Sequence, residues 1–163
     1  MQFYTSKSFN LKKHSDVIIF DETNSNLVKI IIPETYSHSV YKTRPIEIII
    51  TIQILLRFFV NLKDLKIFTK YSKKVFLTNV LWQILCIYIK SYIQAAKPRA
   101  VITSIDNCNK FAWLSKNIPE IPFIAIQNGF RLNYAVDKES LYNCQHLFCF
   151  GNFEVEKFPV RDW

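Results

Sequence analysis

Short, continuous apolar runs recur along the chain, separated by longer segments in which apolar residues return every three or four positions. Continuous runs of this kind are typical of strands buried on both faces, as in parallel sheets. They predict strands near residues 17–20, 100–105, 122–126 and 147–150. A weaker pattern, HSVYKT at 38–43, predicts one more strand.

Helical periodicity fills most of the intervals between these strands. It predicts a helix that ends before Pro33, a long helix over 45–62, a second over 76–96, and a shorter one that ends before Pro119. The segment ESLYNCQ (139–145) predicts one further short helix. Strands that alternate with helices at this spacing favour βαβ units. We therefore expect an α/β fold: a Rossmann-like parallel sheet with helices on both faces, in one domain over residues 1–163 whose first 15 residues are irregular.

Polar residues follow the predicted strands at the point where each one ends. These positions hold Asp21, the group Ser104, Asp106 and Asn107, the run Gln127-Asn128-Gly129, and the pair Gly151-Asn152. In open parallel sheets, ligands bind outside the carboxyl ends of the strands. The same residue types also form tight turns, and Asn128-Gly129 suits one well. The pattern is therefore open to two interpretations, a ligand site or a set of turns.

Positive charge is concentrated in the middle of the chain. The formal net charge is +8, and residues 61–100 contain eight Lys or Arg residues against Asp64 alone. If this segment is helical, Lys66, Lys70, Lys73 and Lys74 lie near one face, which favours an anionic membrane surface as partner. The alternative is an ordinary solvated face. No nucleic-acid-binding motif is visible, so we expect no nucleic acid partner.

Several chemistries lack their sequence signatures. With glycines only at 129 and 151, neither a dinucleotide fingerprint nor a phosphate-binding P-loop is possible. The cysteines, at 86, 108, 144 and 149, form no CxxC pair, and buried reduced thiols explain them better than a zinc site. Apolar segments at 46–62 and 80–93 are interrupted by charges or too short to span a bilayer. We expect no metal and no cofactor.

The stretch KPRAVITSIDNCNKFAWLSKNIPEIPFIAIQNGFR (97–131), followed by HLFCFGNFEVEKF (146–158), resembles bacterial surface-carbohydrate biosynthesis proteins. Those proteins are glycosyltransferases of the two-Rossmann-domain (GT-B) type. The upstream DVIIFDETNSNLVKIII (16–32) is similar to the first strand and helix of that family, more weakly. The resemblance implies the N-terminal, acceptor-side half of such an enzyme, cytoplasmic and peripheral at the inner membrane.

The resemblance further implies that six residues line an interdomain cleft where a nucleotide sugar or a sugar or phosphate acceptor binds. They are Asp106, Asn107, Gln127, Asn128, Gly129 and Arg131. Asp106 is the candidate base for an acceptor hydroxyl. Because the family's second domain is not matched, we do not expect catalysis by this chain alone, and we expect apolar surface for a partner domain at Phe130, Phe153, Phe158 and Trp163. The alternative is a non-catalytic α/β binding or interaction module.

Overall fold

The computed structural model describes residues 15–43, 50–65, 73–106, 108–128 and 144–149. These residues fall into two compact units. The helical unit comprises residues 50–65 and 73–97, and the sheet unit comprises all the other described residues. The expectation of a single domain over the whole chain stays a prediction.

The sheet unit is built on five parallel strands. They are β1 (Val17–Phe20), β2 (His38–Tyr41), β3 (Ala100–Thr103), β4 (Phe123–Ile126) and β5 (His146–Phe148). Their order across the sheet is β2-β1-β3-β4-β5, and all four pairings are parallel. The α/β parallel-sheet fold predicted from the apolar runs is thus confirmed, including the weakly patterned β2.

Four α-helices accompany the strands in the described part of the chain. They are α1 (Ser25–Ile31), α2 (Ile52–Asn61), α3 (Lys73–Ala96) and α4 (Asn109–Asn117), with a 3-10 turn at Leu62–Asp64. The helix expected over 45–62 was predicted to begin at Pro45, and this start is wrong because Ile50 and Thr51 are not helical. Thr51 is instead the N-cap, and its hydroxyl accepts a hydrogen bond from the Ile54 amide at 3.2 Å. The predicted helix at 139–145 lies mostly outside the described residues.

Helices cover both faces of the sheet, as predicted. On one face, Val17, Ile19 and Ile102 form a core with Val28 and Ile32 of the α1 segment. On the other face, Phe111 of α4 packs its ring against two strand residues. These are Phe20 and Phe123, at centroid distances of 5.6 Å and 5.2 Å. Successive strand residues point to opposite faces, so the fully apolar β1 (VIIF) supplies both cores.

In the helical unit, α2 and α3 run in the same direction. Near the start of α2, Ile54 shares an apolar groove with Leu81 and Leu85. At its end, the Asn61 amide donates hydrogen bonds to Ser91 (3.0 Å) and Gln94 (2.9 Å). Just beyond, the Lys90 ammonium forms a 2.8 Å salt bridge with Asp64.

Within α3, residues Phe76–Ala96 are long and apolar enough to cross a membrane by length and composition. This segment extends the apolar run expected at 80–93. Its C-terminal half is buried, with Cys86 and Ile87 fully inaccessible, and it carries the paired ammonium of Lys90. A buried core helix passes the same test of composition, so α3 alone does not indicate a spanning segment.

Candidate ligand site at the carboxyl edge of the sheet

The strand order changes direction at β1: β2 is added on one side of β1, and β3 and the later strands are added on the other. From β1 it crosses through α1 to β2 on one side, whereas β3 lies on the other side and leads through α4 to β4. Because α1 and α4 cover opposite faces, the turns that follow β1 and β3 separate at the carboxyl edge. Such a switch point is where ligands bind in open α/β sheets.

The turn after β1 has a strained backbone. Asp21 has φ 82° and Asn24 has φ 56°, both in the positive region that only glycine adopts without cost. Asp and Asn tolerate this conformation better than other residues because their short side chains bond to the local backbone. Asp21 is also almost completely buried, at 3% exposure. A strained, buried carboxylate at a switch point is a functional-site signal.

The carboxylate of Asp21 ties this turn to β2. One oxygen accepts a hydrogen bond from the Thr23 amide at 2.8 Å, and the other accepts one from the Thr43 hydroxyl. Thr43 lies two residues beyond β2 and is itself buried. Since both carboxylate oxygens are engaged inside the protein, Asp21 is suited to holding the turn in shape rather than to accepting a proton from a substrate.

Two hydroxyl side chains bind the turn after β3 to the turn after β1. The Thr103 hydroxyl donates to the Phe20 carbonyl at 3.0 Å and accepts from the Ile105 amide at 3.1 Å. The Ser104 hydroxyl donates to the Thr23 carbonyl at 2.9 Å. The two loops of the switch point are therefore fixed to each other, which gives the site a pre-organised floor.

The site residues predicted from the sequence lie beside this floor, as far as the structure describes them. Asp106 is buried (7% exposed) in the turn after β3, and Gln127 is buried (6% exposed) directly after β4. The backbone N–H of Gln127 continues the pairing between β4 and β5, because it donates a hydrogen bond to the Phe148 carbonyl at 2.9 Å. Asn128, the next residue, is exposed. Because β3 and β4 are adjacent and parallel, these residues share one edge.

The remaining residues predicted for the cleft and its apolar surroundings lie outside the described part of the chain. They are Asn107, Gly129 and Arg131, together with Phe130, Phe153, Phe158 and Trp163. Their roles therefore stay predictions.

Buried polar residues of the sheet unit are concentrated at this edge. Among the described residues of that unit, seven polar side chains are buried, and only Ser115 lies elsewhere, within α4. The other six follow or end the first four strands: Asp21, Thr43, Thr103, Ser104, Asp106 and Gln127. Asp21, Thr43, Thr103 and Ser104 are hydrogen-bonded there, so the cluster holds the strand-end turns in place at the edge where open parallel sheets bind ligands.

Cys144 precedes β5, at the amino end of that strand, and its thiol has a shifted pKa. Burial raises the pKa of its thiol to about 11, and the negative charge of Asp106 adds to the shift. The thiol is therefore protonated at neutral pH and unsuited to nucleophilic attack. Among the described residues no group of His, Cys, Asp and Glu could hold a metal ion, and all four cysteines are free thiols.

A concavity of about 670 Å³ lies on the α1 face of the sheet. Ile102, Ile124 and Ile126 contribute to its almost entirely apolar wall, and none of the described candidate residues lines it. A ligand rich in hydroxyl groups therefore fits the carboxyl edge better than this concavity.

Three of the polar residues that build the floor were not singled out by sequence reasoning. Thr43, Thr103 and Thr23 stand in patterns that look like ordinary strand ends. Their roles depend on the strand order, which places β1 between β2 and β3. The one local signal was the sequence Asp21-Glu22-Thr23, which permits an aspartate side chain to bond the amide two residues later.

Comparisons with protein-family models, curated proteins and solved structures find no match to this chain. The fold assignment therefore stands on the parallel sheet itself.

Proposed function

We propose that the sheet unit is the acceptor-side domain of a glycosyltransferase-like protein of surface-polysaccharide biosynthesis. Its ligand, a nucleotide sugar or a sugar or phosphate acceptor, binds at the carboxyl ends of β1, β3 and β4. The observation that supports this best is the collection of six buried polar residues at one edge of the sheet. The sequence resemblance over 97–131 and 146–158 supplies the reaction class.

The chemistry of the edge suits a ligand with many hydroxyl groups. Gln127 and Asn128 offer amide groups that both donate and accept hydrogen bonds, as sugar hydroxyls require. Asp106 supplies a carboxylate that can accept the proton of an attacking hydroxyl. In the sequence, Asn107, Gly129 and Arg131 adjoin these residues, and the Arg131 guanidinium is suited to a phosphate.

The backbone contributes a favourable field for an anion. Helix α4 begins at Asn109, directly after the turn that holds Asp106, and its N-cap residue Cys108 makes no side-chain capping bond. Its first turn contains no acidic residue. The positive end of the helix dipole thus lies at the same edge and favours a phosphate group there.

The alternative is a binding module of the same fold without catalysis. It is favoured by one observation, that the Asp21 carboxylate is fully engaged in holding the turn. Asp106 is then the candidate base among the described residues, and the burial of Asp106 is equally compatible with a structural role.

The test is a titration of the protein with UDP-glucose, GDP-mannose and a glycosyl phosphate, followed by amide chemical shifts in NMR. Binding at the edge should move the amides of Asp106, Gln127 and Asn128. Asp106→Asn, which keeps the shape of the side chain, should leave binding within about threefold while abolishing any transferase turnover.

Ser115→Ala is the matched control, because Ser115 is buried and polar but lies in α4 away from the edge. It should change neither binding nor turnover. Because catalysis is not expected of this chain alone, turnover is measured with a donor-side domain supplied, and binding without turnover under those conditions would favour the binding module. Shifts confined to residues away from the strand ends would contradict the proposed site altogether.

A further inference from the structure

The outer face of α2 is a row of exposed apolar side chains. Ile52, Leu56, Phe59 and Val60 are 77%, 63%, 66% and 64% exposed, and Leu55 is 43% exposed. At 100° per residue these five positions fall within about 140° of the helix circumference. We call them the α2 row. They extend along the whole helix.

The α2 row is not the core side of the helix. Ile54 and Asn61, on the opposite side, are 1% and 5% exposed, and Asn61 bonds to α3. The helix is thus apolar on both sides and leaves one of them uncovered. Contiguous exposed apolar surface of this kind marks an interaction site.

A polar cavity of about 590 Å³ adjoins the row. Its wall contains four cationic side chains and three side-chain amides, and also Leu56 and Val60 of the α2 row. The cations are Arg57, Lys63, Lys90 and Lys97, and the amides are Gln53, Asn61 and Gln94. Cations, hydrogen-bond donors and apolar surface therefore meet in one concave place.

Among the described residues, acidic side chains neutralise only one of the four cations of this cavity. In the sequence from 48 to 97 there are eight Lys or Arg residues and one acidic residue, Asp64. Asp64 forms its salt bridge with Lys90. Within the described residues, Arg57, Lys63 and Lys97 form no salt bridge, so their charge is available to an anion.

Helix ends alone do not account for these cations. Lysines near a helix C-terminus stabilise its dipole, which would explain Lys63 and Lys97. Arg57 and Lys90, however, lie outside the last turns of α2 and α3, neither of which holds a basic residue. Lys97 also adopts φ 49° as it follows α3, a position that glycine fills most readily.

We propose that this cavity binds the phosphate of an anionic membrane lipid, while the α2 row enters the boundary between headgroups and acyl chains. The proposal is independent of the function proposed for the sheet unit. It also differs from docking through Lys66, Lys70, Lys73 and Lys74. The first two of those lie outside the described residues, and the side chains of the other two are not described.

A lipid suits the surface better than the other candidate occupants. Leu56 and Val60 belong to both the row and the cavity wall, so a ligand with an anionic head and an apolar tail matches both. A second copy of the chain, facing this surface symmetrically, would bring a second set of the same cations to the contact. A soluble phosphate would leave the row uncovered.

The other flank of α2 offers room for an acyl chain. An apolar groove of about 320 Å³ runs there between α2 and α3, and Leu55 and Leu81 line it. Leu81 is 57% exposed, so the groove is open to the outside.

Vesicle co-sedimentation tests the proposal. The full chain should bind vesicles of phosphatidylcholine mixed with phosphatidylglycerol and bind pure phosphatidylcholine far less, and added salt should weaken the binding. Arg57→Gln and Lys97→Gly should each reduce the partition coefficient by about fivefold, as expected for one cation near an anionic surface. Inorganic phosphate in the buffer should compete only weakly, because it cannot use the α2 row.

Matched controls distinguish binding at this site from the general effects of net charge and exposed apolar surface. Lys116→Gln removes an exposed lysine from α4, and Ile30→Ser removes an isoleucine of α1 that is 79% exposed, close to the 77% of Ile52. Neither should change binding, whereas Ile52→Ser should weaken it. Lys97→Gly also relieves the positive φ, so it should keep or raise the melting temperature while it weakens binding.

Three results would overturn the proposal. Lys116→Gln could weaken binding as much as Lys97→Gly, which would mean that net charge alone drives it. The wild-type chain could bind neither kind of vesicle. It could also form a dimer that Ile52→Ser dissociates, which would assign the α2 row to self-association.

Discussion

The two units of the described chain treat apolar and polar side chains in opposite ways. The sheet unit buries most of its large apolar residues and gathers its buried polar residues at one edge. The smaller helical unit contains eight of the thirteen large hydrophobic residues that are exposed in the described part of the chain, and it buries its polar groups between helices. The first arrangement suits a small polar ligand, and the second suits an extended apolar partner.

The largest expected contrast is between two phenylalanines. Phe123 of β4 is fully buried against Phe111, whereas Phe59 of the α2 row is 66% exposed. Phe123→Ala should lower the free energy of unfolding by about 3–5 kcal/mol because it leaves a cavity. Phe59→Ala should change it by no more than about 0.5 kcal/mol. Chemical denaturation measures both, and an equal loss would show that the α2 row belongs to the core.

The next contrast concerns the ion pair of the helical unit. Asp64→Ala should cost about 3 kcal/mol, because it leaves the largely buried ammonium of Lys90 without its partner. The double variant Asp64→Leu with Lys90→Met should recover most of that loss. Thermal unfolding of the wild type, Asp64→Ala and the double variant checks this. If the double variant were as unstable as Asp64→Ala, the loss would not come from leaving the Lys90 charge unpaired.

A smaller effect is expected at the strained turn of the sheet unit. Asp21→Ala removes the acceptor for Thr23 and Thr43 and should cost about 2 kcal/mol. Asp21→Asn should cost less, because the amide oxygen can still accept one of these bonds. Denaturant unfolding ranks the two, and equal stability of all three proteins would mean that the carboxylate does not hold the turn.

The smallest effect concerns Asp16, which precedes β1. Hydrogen bonds from Ser37, together with Arg99 nearby, hold the pKa of its carboxyl below the usual 3.8. Because the folded-state pKa is depressed, the stabilisation is present above pH 3.8 and is lost as the pH falls through the folded-state value. On acidification the wild-type protein should therefore lose slightly more stability than Asp16→Asn, which has no carboxyl to protonate. Acid titrations followed by circular dichroism compare the two, and parallel curves would contradict this contribution.

The sequence allowed the sheet to be predicted more fully than its site. Apolar patterning identified all five strands, and β1 was placed to the residue, since burial on both faces leaves no polar position in it. The predicted end of β3 was two residues too late, because pairing stops at Thr103 before the polar turn. The start of α2 was missed because the apolar pattern continues without a break through Ile50 and Thr51, which are not helical.

Asp106 and Gln127 could be placed at the carboxyl edge because each directly follows an apolar run. The bonds from Thr43 to Asp21 and from Ser104 to Thr23 could not be foreseen, because they join residues 22 and 81 positions apart through strand order. The exposure of the α2 row was equally hidden. A helix that is apolar on two sides does not reveal in its sequence which side is covered.

The strand order also has a consequence for how the protein is made. Strand β1 pairs with β3, and the bond from Thr103 to Phe20 spans 83 residues. Closing so long a loop is slow, and pairing over such distances delays folding. During synthesis β1 has to wait until the whole of α2 and α3 has left the ribosome. Until then its apolar residues need protection, so early chain termination before β3 should yield fragments that depend on chaperones.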